Sequence, residues 1–104
     1  MAVAGERRTS RKAPAELSAP DAAETALGHI SSLTGRELIG ATSVEPTDDG
    51  WRVGVEVIEE RRIPSTSDLL AQYEVDLDLT GELLAYRRAR RYVRGRTDAG
   101  NGIA

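Results

Sequence analysis

The sequence predicts an α+β domain in which one amphipathic helix packs on a four-stranded antiparallel β-meander. Three observations predict it. Apolar residues between Ala23 and Leu33 recur at helical spacing, the stretch 51–79 switches to alternation, and turn-forming clusters separate the alternating runs. Short connections favour pairing between sequential strands, and alternation suits a sheet with one face on a core and one face in water.

Residues 1–17 carry small and charged side chains without an apolar period, so a disordered N-terminal tail is expected there. Ser18 can accept from a free backbone N–H, Pro20 suits the first helical turn, and Asp21 favours its positive end. The predicted helix covers 19–34, with Ala23, Ala26, Leu27, Ile30 and Leu33 as its apolar stripe and Gly35 as its cap. The first strand, 38–45, is the weakest, because Gly40 interrupts it. Pro46-Thr-Asp-Asp-Gly50 ends it in a turn.

The second strand, 51–60, places Trp51, Val53, Val55 and Val57 on one side. In the third, Tyr73, Val75, Leu77 and Leu79 alternate with Gln72, Glu74, Asp76 and Asp78. A two-residue loop at Thr80-Gly81 then leads into the fourth strand, 82–94. One domain over 18–95 follows, with a flexible tail at 96–104.

Composition narrows the function classes. The chain has 104 residues, no cysteine, no phenylalanine and a formal net charge of -3. Disulfides and thiolate metal sites are excluded, and the core must be aliphatic. No apolar run is long enough to cross a bilayer, and a signal-peptide core is missing from the start of the sequence, so a cytoplasmic protein without a membrane partner is expected. Basic charge comes from thirteen arginines and one lysine.

Six of those arginines fall between Leu83 and Arg96, with no acid among them. Counting outward from the two-residue loop sets Leu77 against Leu84, Val75 against Tyr86 and Glu74 against Arg87. Glu74 and Asp76 are therefore candidate ion-pair partners for Arg87 within the sheet. Strict alternation puts Arg87 and Arg91 on one face, and Tyr86, Arg88, Arg90, Tyr92 and Arg94 on the other. Because the acidic row is not expected to reach those five residues, they are the candidate partner-binding set. Arginines and tyrosines on a sheet can also hold nucleic acid. The acidic pI near 5.2 and the neighbouring carboxylates disfavour that reading.

No catalytic, metal-binding or cofactor-binding residues are assigned, and no small-molecule substrate is expected. His29 lies within the helix without a third catalytic group, and reads as a helix-surface residue. Glu56, Glu59, Glu60, Asp48 and Asp49 could supply oxygen ligands for a hard cation, but Asp48-Asp49-Gly50 lacks the spacing of a calcium loop and reads as a solvated turn. A non-enzymatic interaction domain is the expectation.

The order and spacing of several motifs carry a resemblance. Gly50-Trp51 opens a Val/Glu strand, Arg62-Ile63-Pro64 precedes Asp68 and Leu70, and Ala71-Gln-Tyr-Glu-Val75 follows. Gly81-Glu-Leu83 and Tyr86-Arg-Arg-Ala-Arg-Arg-Tyr92 complete the pattern. It resembles the GvpO family of gas vesicle proteins. The resemblance implies a non-enzymatic accessory factor in gas vesicle formation, associated with vesicles and partnered by other accessory or shell proteins. The alternative it implies is a regulator of vesicle gene expression that touches RNA or DNA through the last strand. It defines no catalytic or ligand residue.

Overall fold

The computed structural model describes residues 16–95. The expected tails lie outside them, apart from Glu16 and Leu17. The helix α1 is Ala19–Thr34, followed by strands β1 (Glu37–Pro46), β2 (Gly50–Glu60), β3 (Leu69–Asp78) and β4 (Leu83–Val93). All neighbouring strands are antiparallel and run in the order β1-β2-β3-β4. The predicted helix-on-meander architecture is therefore the observed one.

The ends of α1 follow from local chemistry. The Ser18 hydroxyl accepts from the Asp21 backbone N–H at 3.3 Å, and Gly35 closes the helix at φ 66°, donating its N–H to Ser31 O. The buried stripe is Ala22, Ala26 and Ile30, spaced by four. Leu27 packs beside it, while Leu33 is exposed rather than central. A stripe of alanines lets α1 approach the sheet closely, and Val53, Val55, Val57, Ala71, Val75 and Leu77 complete the core beneath it.

Leu17 belongs to the fold and not to a tail. Its N–H donates to Leu79 O at 2.9 Å and its side chain packs against the core. The His29 ring is half-buried, with Nε2 3.0 Å from Gly81 O. A carbonyl only accepts, so Nε2 carries the proton, and His29 ties the helix to the last turn instead of facing water.

Two departures from the expected hairpin are corrections. The connection is longer than Thr80-Gly81. Asp78 N–H donates to Glu82 O, Gly81 N–H donates to Asp78 O, and Leu77 stands against Leu83, not Leu84. Asp78 holds this turn by accepting from Thr80 N–H, the Thr80 hydroxyl and Glu82 N–H at 2.9–3.0 Å. An irregularity at Leu84 restores the expected register, with Val75 against Tyr86 and Glu74 against Arg87. A second irregularity, at Ala89, then pairs Gln72 with Arg90 and Ala71 with Arg91. An extra residue in one strand reverses which way all later side chains point.

Glycine is required where β2 begins. A Cβ on Gly50 would lie 2.0 Å from Leu77 O and 2.6 Å from the Asp78 carbonyl carbon, both backbone atoms. On Gly54 it would instead meet the ends of the Ser43, Gln72 and Thr42 side chains, at 2.6–2.7 Å. Gly50→Ala is expected to destabilise the domain by about 1–3 kcal/mol, and Gly54→Ala by less, since side-chain ends can rotate away. Urea unfolding of the two variants checks the order, and a larger loss for Gly54→Ala would contradict it.

Candidate functional site

The arginine strand lies at the edge of the sheet, with no described strand on its outer side. Every residue from Leu84 to Arg91 is exposed. The helix rests on β1, β2 and part of β3, so the β4 half of that face is uncovered by described residues. Both faces of β4 therefore present side chains to solvent.

The Ala89 irregularity decides which ones. Register places Tyr86, Arg88 and Arg91 on the helix side, opposite Val75, Tyr73 and Ala71. Arg87, Arg90 and Tyr92 lie on the other face, opposite Glu74, Gln72 and Leu70. The five residues grouped from sequence as one surface, Tyr86, Arg88, Arg90, Tyr92 and Arg94, are thus divided. Arg91 replaces Arg90 beside Arg88. Strict alternation fails here because a bulge leaves no mark that counting residues can detect.

On the face away from the helix, charges interlock across three strands. Arg52 Nε donates to Asp76 at 2.8 Å, and Arg87 Nη2 reaches Glu74 at 2.6 Å, with Nη1 3.7 Å from Asp76. Hydrogen bonding and charge from Arg52 hold the Asp76 carboxyl below its ordinary value. Further along, the Tyr92 hydroxyl donates to Glu56, and the Arg90 guanidinium sits 4.6 Å from the centre of the Tyr92 ring.

On the helix side one carboxylate gathers two arginines. Arg88 Nη1 lies 3.1 Å from Glu59 Oε2, and Arg91 Nε lies 2.8 Å from Oε1. The Glu59 side chain is only 7% exposed. Burial pushes its carboxyl up, but the two arginines outweigh that and hold it below its ordinary value. Arg36, just past the helix cap, donates through Nη1 to the Glu59 backbone carbonyl at 3.0 Å. Tyr86 stacks at a tilt on Tyr73, with ring centroids 6.3 Å apart.

Arg94 is also paired. Its side chain lies 3.2 Å from Asp68 Oδ2, and its N–H donates to Asp68 O. The expectation that acids do not reach the five-residue set is thus overturned for Arg88, Tyr92 and Arg94, because Glu59, Glu56 and Asp68 approach from outside the β3 acidic row.

Sequence reasoning missed the importance of Asp68 and Glu59. Asp68 is fully buried and accepts from Arg62 N–H at 2.7 Å, closing the 61–68 connection, with Arg61 4.0 Å away. The Arg62 N–H, with the Arg94 side chain, holds its carboxyl below its ordinary value despite burial. Glu59 reads in the sequence as one acid among several, and only the register shift between Ile58 and Glu60 makes it special. Asp48 and Asp49 are exposed in the β1–β2 turn. Among the described residues no three His, Cys, Asp or Glu side chains gather to hold a metal ion.

The family model described as "Gas vesicle synthesis protein GvpO" matches residues 5–98. The chain belongs to the GvpO family. It is 53% identical over 73 residues to "Gas vesicle protein O" of a Streptomyces species, a match covering 70% of the chain and 57% of that protein. It is 37% identical over 81 residues to "Gas vesicle protein O1" of Halobacterium salinarum, covering 78% of the chain and 62% of that protein. With "Gas vesicle protein O" of Haloferax mediterranei it shares 33% identity over 94 residues, covering 88% and 67%. The chain thus spans about 57–67% of the length of these family members. No solved structure matches. Among the described residues no helix is long and apolar enough to cross a membrane.

The lowered carboxyls of Glu59, Asp68, Asp76 and Asp78 set an acid limb of stability. Each has a lower pKa folded than unfolded, so between the two values the unfolded chain binds more protons. Their contribution is complete above the unfolded value, about pH 4, and is lost as the pH falls through the folded values. Urea unfolding is expected to show stability falling below about pH 4, with a shallower slope in Asp68→Asn. An unchanged slope in that variant would remove Asp68 from the account.

Proposed function

We propose that this protein is a non-enzymatic accessory factor for gas vesicle formation that acts through contacts with other gas vesicle proteins, and that it works in the cytoplasm in association with vesicles. The observation carrying this reading is the placement of β4. The strand that bears four arginines, two on each face, is also an uncovered edge of the sheet. Arginine and tyrosine are the side chains that most often anchor protein interfaces, because each combines contact area with directed hydrogen bonds. The family to which the chain belongs supplies the biological setting.

The carboxylates woven between the arginines favour protein over nucleic acid. Glu59, Glu74 and Asp76 already hold Arg87, Arg88 and Arg91, so the surface alternates in sign and is not a continuous cationic track. A phosphate backbone would bring its negative charge against these acids.

Replacing Arg87, Arg88, Arg90 and Arg91 by Gln keeps N–H donors beside Glu59 while removing the charge. Cells with the remaining vesicle genes and this variant are expected to lose most of their vesicles, while the purified variant keeps its α+β circular dichroism spectrum. Vesicles in normal number would refute the reading. Salt-sensitive binding of the wild-type chain to vesicle-gene transcripts, without any protein partner in a pull-down, would replace it by regulation of expression.

A further inference from the structure

We propose that the groove between the C-terminal end of α1 and the free edge of β4 binds an extended acidic segment of a protein partner, with one of its carboxylates seated among Arg36, Arg88 and Arg91. This rests on the reading that the protein works by protein contact, and adds the site and the partner's chemistry.

The groove contains a cavity of about 310 Å³ lined by Arg36, Glu59, Glu60, Leu69, Arg88 and Arg91. Its charges do not balance. Three guanidinium groups, of Arg36, Arg88 and Arg91, face two carboxylates there; Glu60 is paired with Arg62, a residue outside the lining, at 3.2 Å, and Glu59 is shared by Arg88 and Arg91. Each Glu59 oxygen takes one N–H, from Arg88 or Arg91. Arg36 donates only to a backbone carbonyl, and no carboxylate among the described residues pairs with it. A guanidinium carries five N–H donors in a planar fork, so most donors here have no acceptor among the described residues. A second carboxylate would complete the arrangement by bidentate pairing, which phosphate could also satisfy in isolation.

The adjoining backbone selects the form of the occupant. β4 presents eleven residues of strand edge beside this cavity, and an extended segment can add there through main-chain hydrogen bonds. Tyr86 lies on the same face as Arg88 and Arg91, giving an added strand an aromatic surface. Nucleic acid would use the arginines but not the strand edge.

Charge excludes the nearest alternatives. A second copy pairing through its own β4 would set arginine rows against each other, and like charges directly across strands are destabilising. Residues 1–15 contain Arg7, Arg8, Arg11 and Lys12 against Glu6 alone, and residues 96–104 contain a single acid, Asp98. Neither segment carries a run of acidic residues.

Binding titrations with the full chain test the proposal, using three probes: a peptide about ten residues long alternating Glu and Val, the same peptide with Lys for Glu, and a single-stranded RNA of equal charge. The Glu peptide is expected to bind and the Lys peptide not. Hydrogen exchange should show β4 amides gaining protection while β1 amides do not. Arg36→Ala removes one contact to a carbonyl and leaves both Glu59 pairs in place, so it should fold and weaken peptide binding about tenfold. Arg52→Gln, on the opposite face, should leave binding unchanged.

Binding of RNA but not peptide, equal peptide affinity in Arg36→Ala, or protection at β1 instead of β4 would each overturn the proposal. So would a concentration-dependent dimer that protects β4. If the peptide fails while the four-Gln variant still abolishes vesicles, the groove assignment falls and the assembly role stands. If vesicles persist in that variant, the assembly role itself falls.

Discussion

The width of one helix governs much of this structure. An α-helix with its side chains is about 10–12 Å across, and strands lie about 4.8 Å apart. A single helix can therefore cover two or three strands of a four-stranded sheet. Here α1 covers β1, β2 and part of β3, and its alanine stripe lets it sit close to the small aliphatic side chains below. β4 is left over. The protein places arginines on both faces of β4, which limits its exposed apolar surface chiefly to Leu84 and Tyr86.

A polar edge strand still needs its charge managed. Arg87 does so with Glu74 and Asp76 in an exposed lattice, where each pair contributes little because water and salt screen it. The Glu59 cluster differs in kind. Its carboxylate is nearly buried, so it depends on Arg88 and Arg91 for the hydrogen bonds that replace water. Asp68 plays a similar part in the 61–68 connection, where Arg94 anchors the end of β4 to the loop entering β3. Buried carboxylates thus set the geometry of the arginines, and exposed ones neutralise them.

The same arrangement suits recognition. Arginines along an edge discourage two copies from pairing edge to edge, a hazard that a long uncovered strand otherwise creates. In the proposed contact the same side chains would favour partners of opposite charge, joining protection to specificity. Membership of the GvpO family gives that surface its setting.

The helix, the four strands, their order and the aliphatic core were all legible in the sequence, because each depends on local periodicity and turn chemistry. Ser18 and Gly35 marked the helix ends, and the alternation through Val53–Val57 and Tyr73–Leu77 marked the buried face. The motif pattern also carried the family. Only the tertiary structure decided which arginines stand together. Single-residue irregularities at Leu84 and Ala89 change the pairing register, and Ala89 has no turn residue to announce it. One such residue moved Arg90 away from Arg88 and brought Arg91 to Glu59. The sequence determined that β4 would be rich in arginine; cross-strand packing determined how those arginines divide between the two faces.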